Sequence, residues 1–124
     1  MNGQNKRIRL SDALATFSDH WSPRIIAELN GQQVKLAKFI GAFDWHSHAD
    51  EDEMFLVIDG SFTMEFRDRS VELNQGDMIV VPRGVEHRPV AEKECSVMLV
   101  EPAGLVNTGD LEASEKTTTG IWLD

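Results

Sequence analysis

The stretch GAFDWHSHADEDEMFLVIDG, residues 41–60, carries the most informative pattern in the chain. It holds two histidines, His46 and His48, on either side of one serine. Residues two apart on an extended backbone point to the same side, so these imidazoles can converge on one point. Glu53 begins the apolar run that follows and shares a strand face with Phe55. The stretch therefore predicts a strand with polar donors at its start.

A second stretch, GDMIVVPRGVEH at residues 76–87, adds another donor. It ends in His87, just after the turn Pro82-Arg83-Gly84. Three neutral imidazoles and one carboxylate form a mixed nitrogen and oxygen donor set that suits a divalent transition metal. The predicted ligands are His46, His48, Glu53 and His87, and an octahedral ion would keep two positions open.

Turn residues separate short extended runs along most of the chain. Asn30-Gly31 between two such runs is the strongest short hairpin signal, because both turn residues need a positive φ. Many short strands with regular turns are typical of a β-sandwich or barrel. The predicted strands are residues 24–29, 32–40, 53–59, 61–67, 71–73, 77–81, 86–90 and 95–101.

The two ends of the chain have a different pattern from the middle. A short helix is predicted before Pro23, with Ser11 or Asp12 as its N-cap. The tail after Pro102 is loop-like and ends in an apolar anchor at residues 121–123. The expected organisation is a segment with a short helix over 1–23, a β-barrel over 24–102, and a tail over 103–124 that packs on the barrel or on a partner.

Composition excludes several classes of protein. The 124 residues suit one domain. Twelve Lys and Arg against 21 Asp and Glu give a net charge of −9, which argues against nucleic acid or an anionic membrane as a partner. The lone Cys95 cannot form an intrachain disulfide, and no signal peptide or membrane-spanning run is visible. A cytoplasmic location is the expectation.

The histidines, together with the glycines and the proline near them, resemble the two motifs of the cupin family. His46-Ser47-His48, four residues, Glu53, six residues and Gly60 resemble the first motif. Gly76, five residues, Pro82-Arg83-Gly84, two residues and His87 resemble the second. The resemblance implies a small single-domain cupin with an all-β jelly-roll barrel, a double-stranded β-helix, and a metal inside the barrel near one mouth.

The resemblance is not complete, and one ligand has an alternative. Gly41 leaves four residues before the first histidine where the family usually has five, and Ala91 stands where the second motif commonly has Asn. The acidic run 50–53 offers several carboxylates. Spacing to Gly60 and the face shared with Phe55 favour Glu53, and Asp52 is the alternative.

Other residues give weaker signals. Lys38 would be the best candidate for holding an anionic substrate if its strand face pointed inward, but a position at the edge of the barrel is the favoured interpretation. Glu65 and Glu72 are possible acid–base groups, whereas His20 and Cys95 are expected to be structural. The candidates for pocket walls are Phe39, Phe43, Trp45, Phe55, Phe62 and Phe66.

Strands 53–59, 78–81 and 97–100 are apolar on nearly both faces. A strand with one solvent-exposed face should alternate apolar and polar residues. The outer face is therefore expected to be covered, either by the ends of the chain or by a second subunit. A homodimer is the favoured interpretation.

The family resemblance does not specify a reaction, because one fold hosts many functions. The favoured hypothesis is a metal-dependent enzyme of the oxygenase or isomerase/lyase type that acts on a small organic molecule. The alternatives are a non-catalytic module that binds or senses a small molecule, and a structural zinc site. The expected cofactor is one divalent ion, Fe, Mn, Ni or Zn, and the catalytic residues are not identified.

Overall fold

The computed structural model describes residues 5–123, which form one short helix and eight strands. The hairpin predicted at Asn30-Gly31 is present, and both residues have positive φ angles, 51° and 79°. The elements are α1 Leu10–Leu14, β1 Arg24–Leu29, β2 Gln32–Ala42, β3 Glu53–Asp59, β4 Ser61–Phe66, β5 Ser70–Asn74, β6 Met78–Val81, β7 His87–Pro102 and β8 Ile121–Trp122.

The strands form a jelly roll, as the sequence predicts. The path β5-β4-β7-β2-β1-β8 is hydrogen-bonded throughout, and β3 pairs with both β6 and β7. The first part of β7 pairs with β4 and its last part with β3, while β2 runs antiparallel to both parts. β3 also pairs with β6, with Glu53 opposite Val81, so the turn after β6 brings the start of β7 close to the start of β3 at one end of the barrel.

The prediction of two separate strands at 86–90 and 95–101 is wrong, because β7 is continuous. The polar residues 92–94 that suggest a break are exposed and bulge out opposite a register shift in β2, between Phe39 and Gly41. A bulge adds residues to one strand without ending the pairing. The apolar sequence pattern is therefore interrupted at residues 92–94, although the hydrogen-bonded pairing of β7 with β2 continues on both sides of them.

The helix differs from its prediction at its start. It begins at Leu10 with Arg9 as the N-cap, and no side chain caps it, so Ser11 and Asp12 lie inside the first turn. Packing explains the difference, because Leu10 and Ala13 belong to an apolar cluster that covers the outer face of β1 and β2. Burial of that face outweighs the gain from a capping hydroxyl or carboxylate.

The barrel interior holds the main core. Its buried residues include Phe39, Phe55, Phe62, Met64 and Val97. Lys38 is on the outer face, where its ammonium donates to the Phe17 carbonyl at 2.6 Å and lies over the Phe17 ring. It is therefore not placed to hold a substrate inside the barrel.

The ends of the chain are packed differently. β8 pairs in parallel with β1, so the apolar anchor at the C-terminal end lies on the barrel of its own chain.

The outer face of β6 is less well covered, because Met78 and Val80 are about half exposed, at 51% and 50%. Among residues 5–123, no helix is long and apolar enough to cross a membrane.

Candidate metal centre

Backbone hydrogen bonds join the two histidine-bearing stretches at one mouth of the barrel. His46 and His87 form an isolated antiparallel bridge, with N···O distances of 3.1 and 2.9 Å in the two directions. The Gly84 amide donates to the His48 carbonyl at 2.8 Å. The turn before His87 is therefore held against the loop that carries the other two histidines.

The structure brings all four predicted ligands together. One donor atom from each of His46, His48, Glu53 and His87 lies within 4.8 Å of the others, and all four side chains are buried. The Glu53 Oε1 atom is 3.3 Å from His48 Nε2 and 3.6 Å from His87 Nε2. This arrangement can hold a metal ion.

The alternative carboxylate, Asp52, is not part of this cluster. Its oxygens accept hydrogen bonds from the Arg83 amide at 2.9 Å and from the Arg83 guanidinium at 3.3 Å. Those contacts with Arg83 lower the pKa of Asp52. Alternation along the strand explains the outcome, because neighbouring residues point to opposite sides.

Backbone carbonyls orient two of the imidazoles. His46 Nδ1 is 2.8 Å from the Asp44 carbonyl and His87 Nδ1 is 2.9 Å from the Val85 carbonyl. A carbonyl accepts only from a protonated nitrogen, so these contacts assign the proton to Nδ1. They leave each Nε2 with a free lone pair that can bind a metal.

Three buried atoms of the cluster lack a hydrogen-bond partner among the described residues. They are His48 Nε2, Glu53 Oε1 and His87 Nε2. A buried polar atom without a partner costs about 1–3 kcal/mol. A divalent ion bound by the cluster would satisfy all three, so the residues fit a metal centre.

The electrostatics favour the metal-binding protonation states of His46 and Glu53. Burial, helped by the charge of His87, lowers the pKa of His46 to about 4. Burial raises the pKa of Glu53, but the nearby imidazole nitrogens of His48 and His87 oppose it, and the net shift is downward. Metal ligands must be deprotonated to bind, and these two meet that condition at neutral pH.

A cavity of about 40 Å³ adjoins the cluster, and His46 and Glu53 form part of its wall. Trp21 closes one side with a φ of 57°, an uncommon value for a bulky residue. Its ring stacks on Phe39 at 4.5 Å between centroids, and its Nε1–H donates to the Ile40 carbonyl. The cavity is therefore small and mainly aromatic.

Three of the predicted pocket walls, Phe39, Phe43 and Phe55, line the cavity. The other three do not: Phe62 and Phe66 are in the core, and Trp45 lies under the Arg67 guanidinium at 3.9 Å. Trp21 and Asn107 also line the cavity, although the sequence interpretation missed them. Both come from the ends of the chain, so strand periodicity carries no signal for them.

The weaker acid–base candidates lie away from the cavity. Glu65 accepts from Arg88 at 2.7 Å on the outer face of β4, and Glu72 is exposed. His20 is paired with Glu94 at 2.7 Å. Burial raises the pKa of Cys95 to about 11, so this thiol is not an activated nucleophile.

The inner face carries a charged pair that the sequence interpretation also missed. Lys35 and Glu101 are buried, and their charged atoms are 3.0 Å apart. Because these strands are apolar on nearly both faces, the sequence does not reveal which way Lys35 and Glu101 point. The inward lysine of β2 is therefore Lys35 and not Lys38.

Comparison with known proteins agrees with the fold and the motifs. The family model of the cupin domain matches residues 40–101. An uncharacterised protein of Bacillus subtilis, YdbB, is 41% identical over 64 residues; the match covers 51% of this chain and 57% of YdbB. The chain therefore spans little more than half the length of this curated relative.

Two solved structures are similar over most of the chain. A cupin-2 domain containing protein from Shewanella frigidimarina is 49% identical with a TM-score of 0.77, and the match covers 81% of this chain and 98% of that one. Protein NMB1881 from Neisseria meningitidis is 36% identical with a TM-score of 0.72, and covers 78% and 99% of the two chains. The motifs, the jelly roll and these matches agree: the chain belongs to the cupin family.

Proposed function

We propose that this protein is a divalent-metal-dependent enzyme that acts on a small, compact organic molecule. The observation that carries the proposal is the cavity beside the buried cluster, since His46 and Glu53 belong to both. A ligand in the cavity would meet the metal-binding atoms directly. A closed structural zinc site would leave the cavity without a role.

The side chains suggest which residues bind the metal ion and which bind the substrate. His46, His48, Glu53 and His87 would hold the ion. A bound Fe, Mn, Ni or Zn ion would supply Lewis acidity and, where it is redox-active, electrons. The aromatic walls would bind the apolar part of the substrate and exclude water.

The cavity lining also limits the substrate class. Apart from the donor cluster, the polar side chain that lines it in the described part of the chain is the Asn107 amide. With no cation in the wall, a phosphorylated or strongly anionic molecule would lose hydration without gaining a partner. We infer an uncharged substrate, or one whose only charged group binds the metal.

The same lining favours an oxygenase-type reaction over an isomerase or lyase. Isomerases and lyases need a group that moves a proton at the reacting atom. In the described part of the chain, the cavity wall offers no carboxyl or imidazole outside the metal-binding cluster. A redox-active ion needs no such group.

That lack of a separate acid or base also favours a second candidate, a module that binds a small molecule without converting it. The two functions differ in one measurement. An enzyme forms product with time from a molecule that binds the metal-loaded protein. A binding module returns that molecule unchanged.

The first experiment removes one ligand. We expect protein reconstituted with Fe²⁺, Mn²⁺, Ni²⁺ or Zn²⁺ to retain about one ion per chain after desalting, by elemental analysis, because the four donors converge on one point. His87→Ala should lose that ion, since His87 is the innermost of the imidazoles. Turnover of small neutral aromatic compounds, followed by oxygen uptake and mass spectrometry, should disappear with it.

The matched control is His20→Ala, which removes a histidine that is paired with Glu94 and is not part of the cluster. It should keep both metal and turnover. Unchanged turnover in His87→Ala would contradict the metal-dependent mechanism. Stoichiometric binding of a compound with no product would select the binding module.

A further inference from the structure

A buried pair of opposite charges lies directly behind the metal-binding carboxylate. The side chains of Lys35 and Glu101 are only 2% and 3% exposed. The Lys35 ammonium donates to Glu101 Oε2 at 3.0 Å and to the Thr119 carbonyl at 2.9 Å. The main core cluster consists of apolar side chains, so this pair needs an explanation.

Strand register places the pair next to Glu53. Met54 pairs with Val100, and one further antiparallel step sets Glu53 opposite Glu101. Lys35 pairs with Leu99, so it is the diagonal neighbour of Glu101 on the other side of β7. Both side chains are buried, with Glu53 4% and Glu101 2% exposed, and residues opposite each other on neighbouring strands point to the same side of the sheet. A row of neighbouring buried side chains therefore runs from Lys35 through Glu101 to Glu53.

Stability alone does not account for such a pair. Desolvation of two charges offsets most of their attraction, and apolar residues of similar volume often do as well or better in the same place. Groups that hydrogen-bond to a metal ligand, on the other hand, set its orientation and its affinity for the ion. A polar neighbour for Glu53 is what an apolar replacement could not supply.

We propose that Glu101 and Lys35 are positioning residues of the metal centre. Lys35 holds Glu101 in place, and Glu101 holds the Glu53 carboxylate in the orientation in which it binds the ion. The C-terminal segment takes part, since the Thr119 carbonyl completes the shell of the Lys35 ammonium. Glycine suits position 120, because its φ is 103° and a Cβ there would lie only 3.1 Å from Ile25 Cγ1.

The inference rests on the metal site of the proposed function but not on turnover, so its test is metal affinity. The Zn²⁺ dissociation constant is measured by competition with a chelator at fixed pH. We expect Lys35→Met and Glu101→Leu to weaken binding about 10- to 100-fold, the usual effect of losing a group that orients a ligand. Glu101→Gln, whose amide can still bond to both neighbours, should stay within about 3-fold of the original protein.

The control is Lys38→Met, the same substitution on the same strand but on the outer face. It should leave the Zn²⁺ affinity unchanged. If Lys35→Met and Glu101→Leu lower the thermal midpoint of the metal-free protein but bind Zn²⁺ as the original does, the pair is only structural and the proposal is overturned. An original chain that binds no Zn²⁺ would overturn this proposal and the proposed function together.

A second readout covers the case in which neither variant folds. In protein loaded with Co²⁺, the visible absorption bands report the ligand field. Glu101→Asp keeps the carboxyl group but draws it back by one methylene from Glu53, and should shift those bands while the thermal midpoint stays close to that of the original. An unchanged spectrum would overturn the proposal even if turnover were later demonstrated.

Discussion

At the scale of single residues, the metal centre depends on which side chains are neutral inside the protein. His46 has a folded-state pKa of about 4 against an ordinary value of 6.5. Between these values the unfolded chain binds a proton at this position and the folded, metal-free chain does not. Stability from this group therefore rises with pH across that window and is lost as pH falls through it.

This sign gives a testable pH dependence. His46→Gln lacks the buried ring that must stay neutral, so it lacks this sensitivity to acid. The free energy of unfolding of the variant minus that of the original metal-free protein should therefore rise by about 2 kcal/mol when the pH is lowered from 7.5 to 5. Urea unfolding at the two pH values measures the difference. A stability difference between the two proteins that does not change with pH would contradict the prediction.

The comparison with the variant is needed because the carboxyl groups of Glu53 and Glu101 also make the stability depend on pH. Burial and the charge of Glu53 raise the pKa of Glu101, so its contribution to stability falls as pH rises, opposite to that of His46. The pKa of Glu53 is lowered, and its contribution is lost only below its ordinary value of 4.5. The original protein alone would show the sum of these effects.

At the scale of elements, the loop after β7 is built against the histidine-bearing loop. The Asp110 amide donates to the Ser47 carbonyl at 3.0 Å. Gly109, with a φ of 60°, lies so close that a Cβ on it would collide with the same carbonyl oxygen and approach the His46 ring. This close packing joins the C-terminal segment to the metal centre.

We therefore expect Gly109→Ala to lower the free energy of unfolding by clearly more than about 1 kcal/mol, the scale for alanine at a positive φ, because the backbone must also shift. Gly104→Ala is the control, since Gly104 has a positive φ of 84° with open space where its Cβ would be. Chemical unfolding of both variants measures the difference. Equal losses in the two would show that the collision with Ser47 has no consequence.

At the scale of the whole molecule, residues 5–123 leave an outer face of the sheet uncovered. The N-terminal helix packs on the outer face of β1 and β2 and reaches Met98 on β7. Beyond it, Met54 and Leu56 on β3 and the half-exposed Met78 and Val80 on β6 form a surface without charged residues. A contiguous apolar surface of this kind is typical of an interface.

We propose that a second copy of the chain covers this face. A homodimer is the simplest closed assembly that buries one self-complementary patch, and an uncharged patch avoids the repulsion between two chains of charge −9. Light scattering after size exclusion should report a dimer, and Val80→Glu should convert it to a monomer. Leu29→Glu, at the tip of the β1–β2 hairpin, is an exposed control that should remain dimeric. A monomeric original protein would contradict the proposal.

Local patterns were sufficient to predict the hairpin at Asn30-Gly31, the strand of residues 53–59 and the four donors of the candidate metal centre. Positive φ, side-chain alternation and motif spacing are properties of neighbouring residues, so they can be read along the chain. The length of β7 and the start of α1 were not predictable in this way, because pairing with β2 and burial against the barrel outweighed the local signal.

The sequence by itself thus determined the jelly-roll class, the four residues of the candidate metal centre and the family. Only the tertiary structure decided which lysine points inward, that Glu101 lies beside Glu53, and that Trp21 and Asn107 line the cavity. The physical reason is that both faces of these strands are apolar, so alternation does not identify the inner one. The cavity, moreover, is closed by segments far apart in the chain, and only folding brings them together.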